Sequence, residues 1–476
     1  MNTGNNIRER INQLASKRTL ILDGAMGSLL SGYKLQGKGC SDILCLTAPN
    51  LITDIHEAYL KAGADIIETC SFNSTSVSLK DYGLEDSAYQ ISCAAAKLAR
   101  NAADRFSVPE KPRFVAGSLG PTAKSASIPS DFNEPSKRAI YWDELEAAYY
   151  DNARGLLDGG ADLIIIETIF DTLNAKAAIF AVQRLAKERG IDVPIIVSAT
   201  LTEGGRLLSG QTVEAFCVSV QHADPLALGL NCSFGAEKLK PHIAAVSAAV
   251  SCLVIAYPNA GLPNRDGVYE ESPESMAAHL EEYFREGLVN IAGGCCGSTP
   301  AHISAIARTA ENYHPRPLPA LLGSALSGPP FPKKRLLAGM EVFDFTGGAS
   351  FNTAAERDAE KNREFFRLIK EGDYDGAVDL LCENMEGEGL VKICMDDTMP
   401  GAKEAMSGFL NFATQYPDIA RRPVMLESER WDVIEAGLKC LQGKSLVNFI
   451  GLKDGEKELL RSYGAEVPET LADDNG

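Results

Sequence analysis

Short apolar, β-branched runs alternate with amphipathic helical stretches from residue 18 to about residue 314. The runs fall at 19–23, 65–69, 114–118, 162–167, 195–199, 226–230, 253–257 and 289–292, and each leads into small or polar residues. Helical periodicity follows in stretches such as 54–62, 143–157, 175–188 and 273–286. Gly63, Gly159 and Gly190 stand where a C-cap would end three of these helices. Eight βα units in succession predict a parallel sheet, and eight is the number that closes a (β/α)8 TIM barrel. The alternative is an open doubly wound sheet. The first helical turn carries no Gly-x-Gly-x-x-Gly phosphate fingerprint, which weighs against a dinucleotide site.

A break follows. Six prolines lie between His314 and Arg335, so residues 315–335 read as a linker separating a barrel domain (1–314) from a second unit (336–476). The second unit again alternates. Helices are expected at 357–371, 375–383, 402–415 and 431–443, and strands at 389–394, 423–427 and 445–450. About four βα units fit before the acidic tail 470–476, which predicts a smaller half-barrel-like α/β domain or a small open sheet. Half a barrel leaves open sheet edges, a hazard when uncovered, so pairing with a second copy or a partner chain is expected.

Composition narrows the function classes. A net charge of −18 opposes binding to nucleic acid or to an anionic membrane surface. No apolar run approaches the roughly 20 residues that span a bilayer, and the N-terminal stretch lacks an apolar signal core. Twelve cysteines in such a chain fit a reducing cytoplasm, where metal-bound or reactive thiols are favoured over disulfides.

Barrel enzymes carry their chemistry at the C-terminal ends of the strands. There the pattern places Asp23, Glu68 followed by Cys70, Glu167, Asn231-Cys232, Asn259 and the run Gly293-Gly294-Cys295-Cys296-Gly297. Cys232, Cys295 and Cys296 thus meet at one rim. Adjacent residues of a strand point to opposite faces, so both thiols of the pair can reach one ion only if the backbone turns sharply, as the flanking glycines permit. Three soft thiolates suit zinc, and three protein ligands leave a fourth position open for substrate. The six histidines fall in helical or linker stretches, which leaves no histidine-based zinc site at a strand end. Other readings exist: Cys232 as a buried apolar residue, and the pair as a core feature or a strained vicinal disulfide. Asp23-Gly-Ala-Met-Gly27 reads either as a tight turn or as a backbone N–H nest for a carboxylate with Asp23 facing an ammonium group. Glu167 is either a paired structural acid or a second acceptor for that ammonium.

Taken together, Asp23-Gly-Ala-Met-Gly, Ile67-Glu-Thr, Gly229-Leu-Asn-Cys-Ser, Pro258-Asn-Ala-Gly-Leu-Pro and Gly293-Gly-Cys-Cys-Gly resemble the homocysteine-binding domain of cobalamin-dependent methionine synthases. The resemblance spans about residues 19–314. It implies a zinc site of Cys232, Cys295 and Cys296, and substrate contacts from Asp23, the Met26–Gly27 backbone, Glu167 and Asn259. Ser28 replaces the family's usual threonine, and Cys70-Ser71 replace Asn-Thr. The second unit resembles the folate-binding domain of the same enzymes through 367–374, 417–421 and 431–444. Its functional positions depart: Glu341-Val-Phe-Asp-Phe-Thr-Gly stands for Glu-Arg-Thr-Asn-Val-Thr-Gly, Lys392-Ile-Cys-Met-Asp for Asp-Ile-Asn-Met-Asp, and Glu427 for an aspartate. Loss of folate binding is therefore expected. The resemblance implies methyl transfer to the thiol of homocysteine, giving methionine, with methylcobalamin on a separate corrinoid protein as donor. Alternatives are an S-methylmethionine or betaine-type donor, or a non-catalytic subunit that binds a corrinoid protein.

Overall fold

The structure is a computed structural model that describes residues 4–30, 39–318, 335–345, 359–383, 389–395, 399–449 and 453–467. Eight parallel strands form one sheet: β1 (Leu20–Ile21), β2 (Ile66–Glu68), β3 (Phe114–Leu119), β4 (Leu163–Ile169), β5 (Ile195–Ala199), β6 (Ala227–Gly235), β7 (Leu253–Asn259) and β8 (Ile291–Ala292), in the order β1-β8-β7-β6-β5-β4-β3-β2. The two ends of that order also meet. Leu22 bridges Ile66, and the Asp65 and Asp23 N–H groups donate to the carbonyls of Ile21 (2.7 Å) and Ile66 (3.0 Å). The sheet is thus a barrel rather than an open doubly wound sheet, and no edge remains exposed.

Strand alternation sorts the side chains. Leu22, Ile66, Phe114, Ile165 and Ile255 fill the interior, while Ile67, Val115, Ile164 and Val254 pack under the helices. Gly63 (φ 115°) and Gly190 (φ 61°) end their helices in the left-handed conformation, as expected. Gly159 also caps its helix, but in right-handed conformation, and Gly160 (φ 99°) takes the left-handed turn. Gly159 answers a different constraint, because a Cβ there would lie 2.5 Å from the Cys93 carbonyl of the neighbouring helix.

Beyond the barrel, β9 (Leu336–Ala338) and β10 (Val342–Asp344) form an antiparallel hairpin, and β11 (Val391–Cys394), β12 (Val424–Glu427) and β13 (Leu446–Asn448) form a parallel sheet in that order. The expected run of about four parallel units is thus three strands among the described residues. The segment after Glu341 pairs antiparallel with Leu336–Ala338 instead. Packing explains the difference: Leu337, Phe343 and Phe345 lie against Met425 and Leu446 on the sheet face that a closed barrel would enclose. The strand β13 is also flanked by Glu466, whose N–H and carbonyl bond Ser445 and Val447. Most of the proline-rich stretch (319–334) and the acidic tail lie outside the described residues.

The C-terminal unit docks on the barrel's own helices. Phe180 and Tyr463 stack with ring centroids 4.8 Å apart, and Trp142 packs beside Tyr463 at 5.3 Å. Gln211 donates to the Gly339 carbonyl (2.7 Å) and Arg138 to that of Asn411 (2.5 Å). The helix Thr172–Arg189 is therefore covered on two sides, which is why it is apolar or small around most of its circumference. Its Lys176 is 1% exposed and donates to the carbonyls of Leu441 and Gly443, both at 2.9 Å.

Burial pulls the Lys176 ammonium down to about 7 from an unfolded value near about 10.4. Between these values the unfolded chain binds the extra proton, so this residue's contribution to stability rises with pH. The expected result is that the unfolding free energy of the wild type minus that of Lys176→Met, from urea titrations of the full chain, grows by up to about 1.4 kcal/mol per pH unit across that window. Parallel curves would contradict the buried, neutralised lysine.

Candidate active site

The top of the barrel interior is polar. Continuing the alternation from the apolar layer, Glu68 follows Ile66 inward on β2, Ser118 follows Ala116 on β3, Glu167 follows Ile165 on β4, and Tyr257 follows Ile255 on β7. Asp23 sits just past β1. Beside this floor the sulfurs of Cys232, Cys295 and Cys296 lie within 4.8 Å of one another.

Two local distortions bring the three thiols together. On β6 the pairing register with β7 shifts between Cys232 and Gly235, and Cys232 (φ 55°) and Ser233 (φ 58°) adopt left-handed backbone. That conformation costs about 1–2 kcal/mol per residue for an L-amino acid. It is held from both sides. The Asn231 side chain bonds the Thr168 N–H (3.0 Å), the Thr168 hydroxyl (2.8 Å) and the Ser198 hydroxyl (2.7 Å). The Ser233 hydroxyl accepts the Leu201 N–H at 2.6 Å. After β8 the chain turns on glycines. A Cβ on Gly293 would lie 2.7 Å from Leu22 and one on Gly294 2.5 Å from the Ser298 hydroxyl, while Gly297 (φ 80°) abuts Tyr269. The Cys295 N–H donates to the Pro258 carbonyl (2.7 Å), and the Cys296 carbonyl accepts from Ala260 (2.9 Å). The pair is thereby pinned to the end of β7.

The resulting spacing fits a metal. Cys232 and Cys296 Sγ are 3.9 Å apart, and tetrahedral coordination at about 2.3 Å sets sulfurs about 3.8 Å apart. Cys295 and Cys296 are free cysteines, so the pair is not a vicinal disulfide. Hydrogen bonds from Cys232 and Cys295 pull the Cys296 thiol down to about 3. Cys295 is pushed up by the same contacts and by burial. Three thiolates this close would repel one another, and a cation between them would let all three ionise.

The carboxylates are as crowded. Asp23 is 2% exposed and Glu167 5% exposed. Burial pushes Asp23 well up, against the Glu68 N–H that donates to both its oxygens (3.1 and 3.2 Å). Burial likewise raises Glu167 to about 7, partly offset by the Ser118 hydroxyl that donates to it. Glu68 is raised by burial and by the other two carboxylates. Among the described residues no lysine, arginine or histidine pairs with any of the three. The buried Oε1 of Glu68 and Oδ1 of Asn259 have no hydrogen-bond partner.

Met26 and Gly27 open the short helix Met26–Leu30 directly after the Asp23 turn. That turn is stitched to the cysteine loop: the Ala25 N–H donates to the Ser298 hydroxyl (3.1 Å), the Tyr59 hydroxyl reaches the carbonyls of Ala25 and Ser298, and the Gly297 N–H donates to the Ser28 hydroxyl (2.9 Å). The hydroxyl at Ser28 thus does structural work that its departure from threonine leaves intact. Of the eight residues that the resemblance implies for the site, Asp23, Glu167, Asn259 and the three cysteines interact with one another in a chain of contacts, and Met26 and Gly27 follow the Asp23 turn. Sequence reasoning passed over Ser118, Tyr257, Tyr59 and Ser298. For Tyr257 the signal was available, since it lies two residues from Ile255 on a run already read as a strand. Tyr59 and Ser298 lie on a helix and a loop, and no strand parity points to them.

Residues 20–310 match the model of the homocysteine S-methyltransferase family, and residues 362–467 match that of pterin binding enzymes. In fold the barrel is similar to the homocysteine methyltransferase MmuM from Escherichia coli. With its metallated form the identity is 23% over 62% of this chain and 98% of that one, TM-score 0.50; with its oxidized form it is 24% over 61% and 95%, TM-score 0.50.

The glycine loop makes a sharp prediction. Alanine at Gly297 would bring its Cβ to 2.3 Å from Tyr269 Cβ in a backbone region disfavoured for L-residues. Strain of about 1–3 kcal/mol at the loop is expected to weaken cobalt(II) binding by roughly tenfold or more, read from the thiolate-to-cobalt absorption band. A variant that binds cobalt as the wild type does would show that the loop tolerates a wider turn.

Proposed function

The chain belongs to the homocysteine S-methyltransferase family, and on that premise we propose that it methylates the thiol of L-homocysteine, giving methionine, at a zinc ion held by Cys232, Cys295 and Cys296. The observation that carries this reading is the convergence of three sulfurs within 4.8 Å, one pair of them at tetrahedral spacing, beside the buried, unpartnered Oε1 of Glu68. Zinc there would supply a Lewis acid that keeps a substrate sulfur ionised at neutral pH. The protein's own residues orient the substrate. Asp23 and Glu167 accept its ammonium group, the Met26–Gly27 backbone receives its carboxylate, and Asn259 lines the rim on the β7 side. Anchored at both polar ends, homocysteine extends its thiol toward the cysteines, and the fixed geometry favours in-line attack on a methyl group presented from above.

The donor we favour is methylcobalamin on a separate corrinoid protein, in a cytoplasmic setting that suits twelve free thiols. The C-terminal unit, although similar to pterin binding enzymes, is not read as a folate site. Lys392, with 7% of its side chain exposed, sits 2.8 Å from Glu427, which also accepts from Asn448. The carboxylate at this position, an aspartate in the family it resembles, is thus already paired within the protein. This unit acts as a fixed wall beside the barrel.

Two measurements test these assignments. Free methylcobalamin is expected to lose its methyl group in a homocysteine-dependent reaction followed by absorbance, with Cys296→Ser slower by roughly a thousandfold or more, about 4 kcal/mol of transition-state stabilisation. Transfer from S-methylmethionine but not from methylcobalamin would replace the donor; transfer from neither, with zinc bound, would leave a binding subunit. Calorimetry with methyltetrahydrofolate is expected to give no saturable heat up to millimolar concentration, and micromolar binding would refute the loss of the pterin site.

A further inference from the structure

The pocket holds one more carboxylate than the reading above uses. Glu68 ends β2 with its side chain on the interior face, two residues beyond Ile66, and its backbone N–H holds the Asp23 carboxylate. Its buried Oε1 has no partner. Leaving a buried carboxylate oxygen unbonded is costly, and the barrel supplies no cation for it among the described residues. A second feature points the same way. Tyr257 is 1% exposed and lies within electrostatic reach of both Glu68 and Glu167. The space these groups share calls for a hydrogen-bonding cation that comes from outside.

Resting on the functional reading above, we infer that Glu68 is the third acceptor for the substrate's ammonium group, completing with Asp23 and Glu167 a set of three carboxylates for three N–H donors. An ammonium group in water loses its hydration shell on entering this pocket, and three acceptors replace that shell without leaving a donor unpaired. A secondary ammonium offers two donors and leaves one acceptor stranded; a thiol without the amino group leaves all three. Sites built to bond a buried polar group discriminate strongly against ligands that lack it. Glu68 therefore sets selectivity for a primary α-amino thiol, and homocysteine affinity depends on it more than turnover does.

The test compares wild type and Glu68→Gln as full-length, zinc-loaded protein, with Glu68→Asp as a second variant that keeps the charge. Homocysteine, N-methylhomocysteine and 4-mercaptobutanoate are titrated by calorimetry without methyl donor. Glutamine is expected to weaken homocysteine binding roughly ten- to hundredfold while 4-mercaptobutanoate, which has no ammonium, binds as to the wild type or better. Aspartate is expected to restore part of the loss, and in turnover KM rises for Glu68→Gln while kcat stays within about threefold. Homocysteine binding unchanged in Glu68→Gln, or an equal loss for all three thiols, would overturn the assignment and leave the functional reading standing. Failure of the wild type to bind homocysteine at all would overturn both.

Discussion

Two adjacent cysteines can face one ion only where the chain doubles back, and the rest of the site depends on holding it there. The turn after β8 has no room for side chains at Gly293 and Gly294, because the Asp23 segment and Ser298 occupy that space. Across the mouth, Cys232 reaches the same point through left-handed backbone fastened by Asn231 and Ser233. Neither distortion is favourable in isolation. Each is stabilised by hydrogen bonds that cross between strands, so the thiol cluster exists only because the closed barrel sets β6, β7 and β8 side by side.

Charge is the complementary constraint. Three thiols and three carboxylates share one end of the barrel without a paired lysine, arginine or histidine among the described residues, and burial raises most of their proton affinities. Such a pocket is unfavourable when empty and favourable when it takes in cations. A divalent metal at the sulfurs and an ammonium group at the carboxylates would relieve the two halves separately. The arrangement stores its specificity as unsatisfied acceptors.

The C-terminal unit shows how a partial barrel can persist as a folded element. Its hairpin covers the inner face of the three-stranded sheet, and its outer elements lean on the helices Trp142–Asp158 and Thr172–Arg189. The helix Thr172–Arg189 has given up its solvent face, at the expense of burying Lys176 against backbone carbonyls. Part of the cover that open edges demand is thus intramolecular.

Much of this was legible in the chain itself. Eight βα periods, the strand-end positions of Asp23, Glu167, Cys232, Asn259, Cys295 and Cys296, and the glycines around the cysteine pair follow from local periodicity and backbone sterics, which each segment carries by itself. The left-handed turn at Gly160 rather than Gly159, the hairpin after Glu341 and the double burial of Thr172–Arg189 do not, since each is imposed by a neighbour distant in sequence. The same holds for the pocket. Sequence marked Glu68 as the end of a strand and was silent on Tyr257. Only the closed barrel, by setting Glu68 beside Glu167 and Tyr257 on one interior layer with no paired lysine, arginine or histidine among the described residues, left an ordinary strand residue with an unbonded acceptor.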